Sequence, residues 1–402
     1  MATPVSTQST SSAPRRPEEI AKACEAIAFD VSFAPVRAWK ERTGRKAIGF
    51  LPIYGPREIV TAAGMLPVAV MGGGDRVEIV RGDAYFQSYL CQLPRSTIEL
   101  ALGGQLDVLD GMLFPATCDV LRNLSGMWRM SFPDKLVRYL DFPHDHRPLV
   151  GMRFWENDLR ALAHDLGALS GIVPDETALA RSIALYDENR ALLASLDALR
   201  VEAPHRAPIA EVYALVRAGA VLPVEEHSVL VREYIAAAKA ADRAPRDHAR
   251  VLVVGAFCEQ PPIGLLVTLE RAGCYVVGDD LCLATRLVGE QVATEGVPPF
   301  ASLARAWVEK ARPTASRYLP NEEKGRWLVD RCRALRADGV VLAAPSFCDP
   351  ALLEQPMLQT ALDRAGIPHT CFKYAENTAQ LQPIYEQAGT FSDSIRLFTE
   401  AA

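Results

Sequence analysis

Apolar residues along this chain recur in two rhythms. Short unbroken runs dense in Val, Leu and Ile alternate with longer stretches where apolar positions return every three or four residues. The runs at 46–51, 66–70, 108–114 and 136–140 read as strands buried on both faces, with covering helices between them. A second set, at 251–258, 275–278, 339–344 and 368–372, repeats the alternation in the C-terminal half. Each set predicts an α/β unit, a mostly parallel sheet with helices on both faces. Between the sets β-branched runs vanish. Leu159, Leu162, Leu166 and Leu169, then Ile183, Tyr186, Leu192 and Leu196, fall at helical spacing. The expected organisation is a disordered tail rich in Ser, Thr and Pro (1–16), a helical segment (17–45) and a first α/β lobe (46–156). A helical linker or interface region (157–245) and a second α/β lobe (246–402) follow.

Each unit ends one strand in the same way. The strand at 108–114 leads into Pro115-Ala116-Thr117-Cys118-Asp119, and the strand at 339–344 into Pro345-Ser346-Phe347-Cys348-Asp349. In both, Pro breaks the ladder and a Cys-Asp pair opens the next helix. Asp is expected to cap that helix, and its positive end to lower the pKa of the thiol. Strand-to-helix junctions are also where α/β sheets bind their ligands. A free cysteine is usually a small core hydrophobe, but packing gives no reason to repeat the Pro-x-x-Cys-Asp context.

Cys91 joins these two, in Tyr89-Leu90-Cys91-Gln92-Leu93-Pro94 ahead of an amphipathic stretch that runs to Gly103. Cys91, Cys118 and Cys348, converging from three junctions, would hold one soft metal or cluster and leave a position open. Cys258 also ends a strand, before Glu259-Gln260-Pro261-Pro262, and is a candidate fourth ligand. Cys24, Cys274 and Cys332 lie within helix-like or strand-interior sequence and read as core. Glu58 and Asp119 stand at predicted helix starts. Each is a cap by default and a proton-transfer group in the sharper, catalytic reading. Gly72 to Gly74 read as a turn, with a phosphate cradle as the alternative. His144 and His146 read as an exposed loop rather than a metal site.

Composition narrows the classes. The 402 residues are 49% hydrophobic and 23% charged, as in an ordinary globular protein of two or three domains. A net charge of −6 argues against nucleic acid as a partner. Lys and Arg are dispersed, which leaves room for a local basic patch that takes an anionic cofactor. No apolar run reaches the ~18 residues that span a bilayer. Nine cysteines without compact spacing exclude a secreted disulfide framework and point to the reducing cytoplasm. No pair has the Cys-x-x-Cys spacing of zinc ribbons, so any cluster must be assembled by the tertiary fold. The chain has no nucleotide P-loop, no Gly-x-Ser-x-Gly and no His-Glu-x-x-His.

Four segments carry a resemblance. Leu51-Pro52-Ile53-Tyr54-Gly55-Pro56-Arg57-Glu58, Ser88-Tyr89-Leu90-Cys91, Phe114-Pro115-Ala116-Thr117-Cys118-Asp119 and Ser346-Phe347-Cys348-Asp349-Pro350 resemble the 2-hydroxyacyl-CoA dehydratase / benzoyl-CoA reductase family. Asp110 to Pro115 and Arg122 to Trp128 look closest to its ATP-dependent reductase branch. The resemblance implies two Rossmann-like (flavodoxin-like) lobes and a [4Fe-4S] cluster on three cysteines that match Cys91, Cys118 and Cys348. It implies a homologous iron–sulfur subunit as heterodimer partner and a CoA thioester as substrate. A separate ATPase activator with its own cluster would spend the ATP, with ferredoxin as upstream donor. Two reactions fit that family: reductive dearomatisation of an aromatic acyl-CoA to a cyclic dienoyl-CoA, and radical dehydration of a 2-hydroxyacyl-CoA. A third reading, from another class, is a non-catalytic scaffold or sulfur-transfer subunit.

Overall fold

The computed structural model describes residues 15–143, 146–317, 323–375 and 381–400. Two helices, α1 (Pro17–Ala28) and α2 (Ala34–Thr43), lead in. The first lobe runs β1 (Ala47–Phe50), α3 (Arg57–Ala62), β2 (Leu66–Ala69), α4 (Gln92–Leu102), β3 (Gly111–Pro115), α5 (Asp119–Ser131) and β4 (Leu136–Leu140). Four helices follow: α6 (Arg153–Ser170), α7 (Glu176–Glu202), α8 (Ile209–Ala218) and α9 (Val224–Ala240). The second lobe opens with β5 (Ala249–Val254), α10 (Ile263–Arg271), β6 (Cys274–Asp279), α11 (Leu283–Arg286) and α12 (Pro299–Glu309). It closes with α13 (Arg326–Ala334), β7 (Gly339–Pro345), α14 (Asp349–Arg364), β8 (His369–Tyr374) and α15 (Leu381–Glu400).

Both sheets are parallel throughout, and both have one order: second strand, first, third, fourth. The first sheet is β2-β1-β3-β4 and the second β6-β5-β7-β8. In this doubly wound order the chain reverses direction between the first and third strands, leaving a crevice at their carboxyl ends. The expected α/β architecture of two flavodoxin-like lobes is what the chain adopts. The unbroken apolar runs are explained by helices on both faces, which leave β1, β3 and β7 buried along their whole length. At the second switch point the strands close tightly. Gly255 has φ +114°, and a Cβ there would stand 2.9 Å from the Ala343 carbonyl oxygen, so only glycine fits.

Helices from outside the lobes lock the two cores together. The first half of α7 places Leu179 and Ile183 in the core around the first sheet. Its second half places Leu193, Leu196 and Leu199 in the core around the second. Residues Leu283, Leu287, Phe300, Leu303 and Trp307, carried in sequence by the second α/β unit, pack into the first core. The lead-in helices divide likewise, with Ile20 and Cys24 of α1 in the second core and Val36 of α2 in the first. Arg15, assigned to the tail by composition, pairs with Glu233 of α9 at 2.5 Å. Among the described residues no helix is long and apolar enough to cross a membrane.

Candidate functional site

Four helices begin on a cysteine, and three of them carry the cysteines expected from sequence to act together. Cys91 is the residue before the first turn of α4, Cys118 that of α5 and Cys348 that of α14. Asp119 and Asp349, expected as caps, instead stand one position inside their helices, with exposed side chains. The cysteines take the capping positions because Pro115 and Pro345 are the last residues of their strands, and the chain turns within the next few residues. Ahead of Cys348 the turn is strained: Phe347, half exposed, has φ +63°.

The thiols of these three junctions and of Cys258, in the bend after β5, lie close enough to act on one another. A charge on Cys348 or Cys118 opposes ionisation of Cys91, and a charge on Cys118 opposes that of Cys348. All three oppose ionisation of Cys258. The Thr117 hydroxyl lies within reach of both Cys118 and Cys258 and favours their thiolates. The expectation of lowered thiol pKa values is overturned. Burial pushes Cys348 up to about 12, raises Cys118, and holds Cys91 and Cys258 well above the ordinary thiol range. The amides of Val120 and Leu121 at Cys118, and of Ala351 at Cys348, favour the thiolate but lose to desolvation.

A buried carboxylate, Glu259, follows directly after Cys258. Its side chain accepts from the Gln92 amide at 2.7 Å, satisfying the first turn of α4, and its charge acts on both Cys91 and Cys348. Tyr374 donates to the Glu259 carbonyl at 2.7 Å. Gln260, the next residue, accepts from the Cys282 amide at 2.8 Å. Sequence reasoning passed over Glu259. Its signal was a lone acid at the carboxyl end of β5, where the switch point would place it.

The two carboxylates proposed from sequence lie differently. Glu58, in the first turn of α3, is buried and paired with Arg190 of α7, which also binds Asp187 at 2.8 Å. Its neighbour Arg57 donates to the Thr285 carbonyl at 2.9 Å. Asp119 is beside Cys118 but faces solvent. Tyr54, from the same junction as Glu58, hydrogen-bonds Thr314 at 2.6 Å and Ser316 at 3.0 Å, and stacks on Phe142. His146 is buried rather than exposed, its ring against Phe142, which packs in turn on Trp155 and Trp307. His144 lies outside the described residues. Gly72 to Gly74 line a cavity of about 530 Å³ together with Arg76, Arg217 and Gln260.

Among the described residues no three His, Cys, Asp or Glu side chains close on a point as ligands of a single metal ion do. A cluster of several irons spreads its thiolates farther apart than one ion. The donor set suits such a group: soft sulfur, buried at Cys348 and half-buried at Cys91 and Cys118, each at the positive end of a helix. Binding would have to displace the thiol protons. The remaining cysteines divide by burial. Cys24, Cys274, Cys282 and Cys332 are core residues, and Cys371 is partly exposed.

Known proteins resemble the chain along nearly its whole length. It is 48% identical over 383 residues to the C subunit of the benzoyl-CoA reductase of Thauera aromatica, covering 95% of this chain and 99% of that one. It is 28% identical over 360 residues to the (R)-phenyllactyl-CoA dehydratase beta subunit of Clostridium sporogenes, 90% of this chain and 92% of that one. Against the beta subunit of the (R)-2-hydroxyglutaryl-CoA dehydratase of Acidaminococcus fermentans it is 27% identical over 356 residues, covering 88% and 93%. The family model for the 2-hydroxyglutaryl-CoA dehydratase D-component matches residues 52–395, and the chain belongs to that family.

Proposed function

We propose that this chain is an iron–sulfur subunit of an ATP-dependent benzoyl-CoA reductase, the counterpart of the Thauera protein it resembles. The observation that carries the reading is the 48% identity to that protein, against 27–28% to the dehydratase subunits at similar coverage. Cys91, Cys118 and Cys348 would hold a [4Fe-4S] cluster, which when bound passes single electrons at low potential. The chain's own contribution is the setting. Full or partial burial limits water at the sulfurs, three helix ends offer positive potential, and Glu259 anchors the start of α4. Cys258, whose ionisation the other three oppose, would neighbour the open position, with a fourth-ligand role as the alternative.

In the overall reaction the aromatic ring of a CoA thioester gains two electrons and two protons and becomes a cyclic diene. A homologous iron–sulfur subunit would complete the assembly, and ATPase activator subunits, fed by ferredoxin, would supply the electrons. The dehydratase relatives carry a second reading, a lyase subunit that removes the hydroxyl of a 2-hydroxyacyl-CoA. Anaerobic purification with partner subunits tests both. A brown complex with about four irons on this chain that reduces benzoyl-CoA is expected. Dehydration without ring reduction would select the second reading. A colourless, iron-free chain in an active complex would leave it a scaffold or sulfur-transfer subunit.

A further inference from the structure

A cavity of about 390 Å³ lies between the second half of α7 and the edge strand β6. Arg190, Arg286, Arg312 and Arg331 line it, against an apolar wall that includes Leu193 and Leu335. Arg190 is matched, being held by Glu58 and Asp187. The others are not. Arg200, behind the cavity, donates to Asp279 at 2.7 Å. Arg286 donates to Asp279 at 2.8 Å and to both Asp197 oxygens at 2.9 Å. Arg312 reaches Asp197 only at 3.3 Å and turns another N–H to the Asp279 carbonyl. The Arg331 guanidinium makes no hydrogen bond or ion pair among the described residues, although Asp197, Asp279, Arg200 and Arg286 all act on it.

Four guanidiniums therefore share two carboxylates, an excess of two positive charges in a partly enclosed space. No nearby acid makes up the difference. Glu202 at the rim pairs with Arg336, and Asp280 accepts from the Gly255 amide. Burial and the neighbouring Arg286 push the Arg312 guanidinium down to about 9. Unmatched buried charge is costly unless something compensates it, and the arginine fork matches phosphate oxygens two at a time. The volume suits a small-molecule ligand.

We propose that this cavity binds a phosphate-bearing anion, with Arg312 and Arg331 holding phosphoryl oxygens and Leu193 and Leu335 flanking the organic part. Two sources share that chemistry: a nucleoside diphosphate, and the phosphorylated adenosine end of a CoA molecule. The site stands apart from the thiols, since no cysteine lines it, and binding can be measured whether or not iron is present.

The test is calorimetric titration of the full chain with pyrophosphate, ADP and CoA. Saturable binding that weakens with added salt is expected, reduced about tenfold or more by Arg331→Gln and less by Arg331→Lys. Tighter ADP than CoA identifies the nucleotide source, and the reverse the CoA source. The Arg331 side chain carries no internal bond and its charge is uncompensated, so the Gln variant should unfold at a midpoint no lower than wild type. Arg312→Gln provides a second variant with the same expected loss. No saturable binding of any probe at millimolar concentration would overturn the proposal. So would binding undiminished in both variants. Binding by the isolated chain that disappears in the assembled complex would also overturn it, in favour of an acidic side chain of a partner subunit.

Discussion

The two lobes share one strand order and divide the work unequally. After its third strand each starts a helix on a cysteine, Cys118 in the first and Cys348 in the second. After the first strand they part. The first lobe's junction is tied into the framework, Glu58 to Arg190 and Tyr54 to Thr314. The second lobe's junction turns Cys258 and Glu259 toward the thiols. Between the second and third strands the first lobe supplies Cys91. The second places Cys282 at a comparable helix start, where its charged neighbours are Arg217, Arg286 and Asp279 rather than the other thiols. The frame sets where a junction lies, and the few residues of that junction decide whether it does chemistry or holds the molecule together.

The largest effect expected from this contrast is at the cysteines. Cys91→Ala, Cys118→Ala and Cys348→Ala should each lose or convert the cluster and abolish reductase activity, because three thiolates leave no spare ligand. Cys24→Ala, Cys274→Ala and Cys332→Ala should keep their iron, and so should Cys282→Ala despite its helix-start position. Iron content and the spectrum of the reduced protein decide it. Cys258→Ala is expected to retain iron, and loss of iron would make it a fourth ligand.

Next is the structural junction. Glu58→Ala should destabilise the chain by about 3 kcal/mol, the low end for breaking a buried pair, because Asp187 keeps hold of Arg190. Denaturant unfolding measures this. A Glu58→Gln variant as stable as wild type but without turnover would instead make Glu58 a proton-transfer group, and the two first-strand junctions would be equivalent after all.

The helical region between the lobes has a pH signature of its own. His227, hydrogen-bonded to the Leu215 carbonyl at 3.0 Å, is pushed down to about 4 by burial. The unfolded chain takes up a proton near pH 6.5 while the native one resists until about 4, so stability falls as pH drops through that window. The loss at pH 5 relative to pH 7 should be about 2 kcal/mol. Urea midpoints at the two values test it, and a His227→Gln variant should show a flatter dependence. The smallest effect is at Glu259. Glu259→Gln keeps an acceptor for the Gln92 amide and should cost under about 1 kcal/mol, whereas Glu259→Ala should cost about 1–2. If both are silent, Glu259 is no anchor for α4.

Much of the fold was legible because strands of a parallel sheet are buried on both faces and leave unbroken apolar runs, as at 339–344. The Cys118 and Cys348 junctions were legible because Pro-x-x-Cys-Asp occurs twice. What escaped depends on distance along the chain. Glu259 meets Gln92 across 167 residues, and nothing local marks that contact. The direction of the thiol pKa shifts was misjudged for a related reason: a helix start can be seen in sequence, but the burial that outweighs it cannot. The arginines of the 390 Å³ cavity are spaced from 190 to 331. They looked dispersed because only the fold gathers them.

One consequence of α7 reaches beyond the site. A single helix of 27 residues is rooted in one core at its beginning and in the other at its end. Residues of 283–311 cross back to fill the first core from the second lobe. Neither half can then be excised as an independently stable fragment, because each would lose part of its own interior. Heating should melt both halves in a single transition, and a protease that nicks the joining region should release no folded remnant.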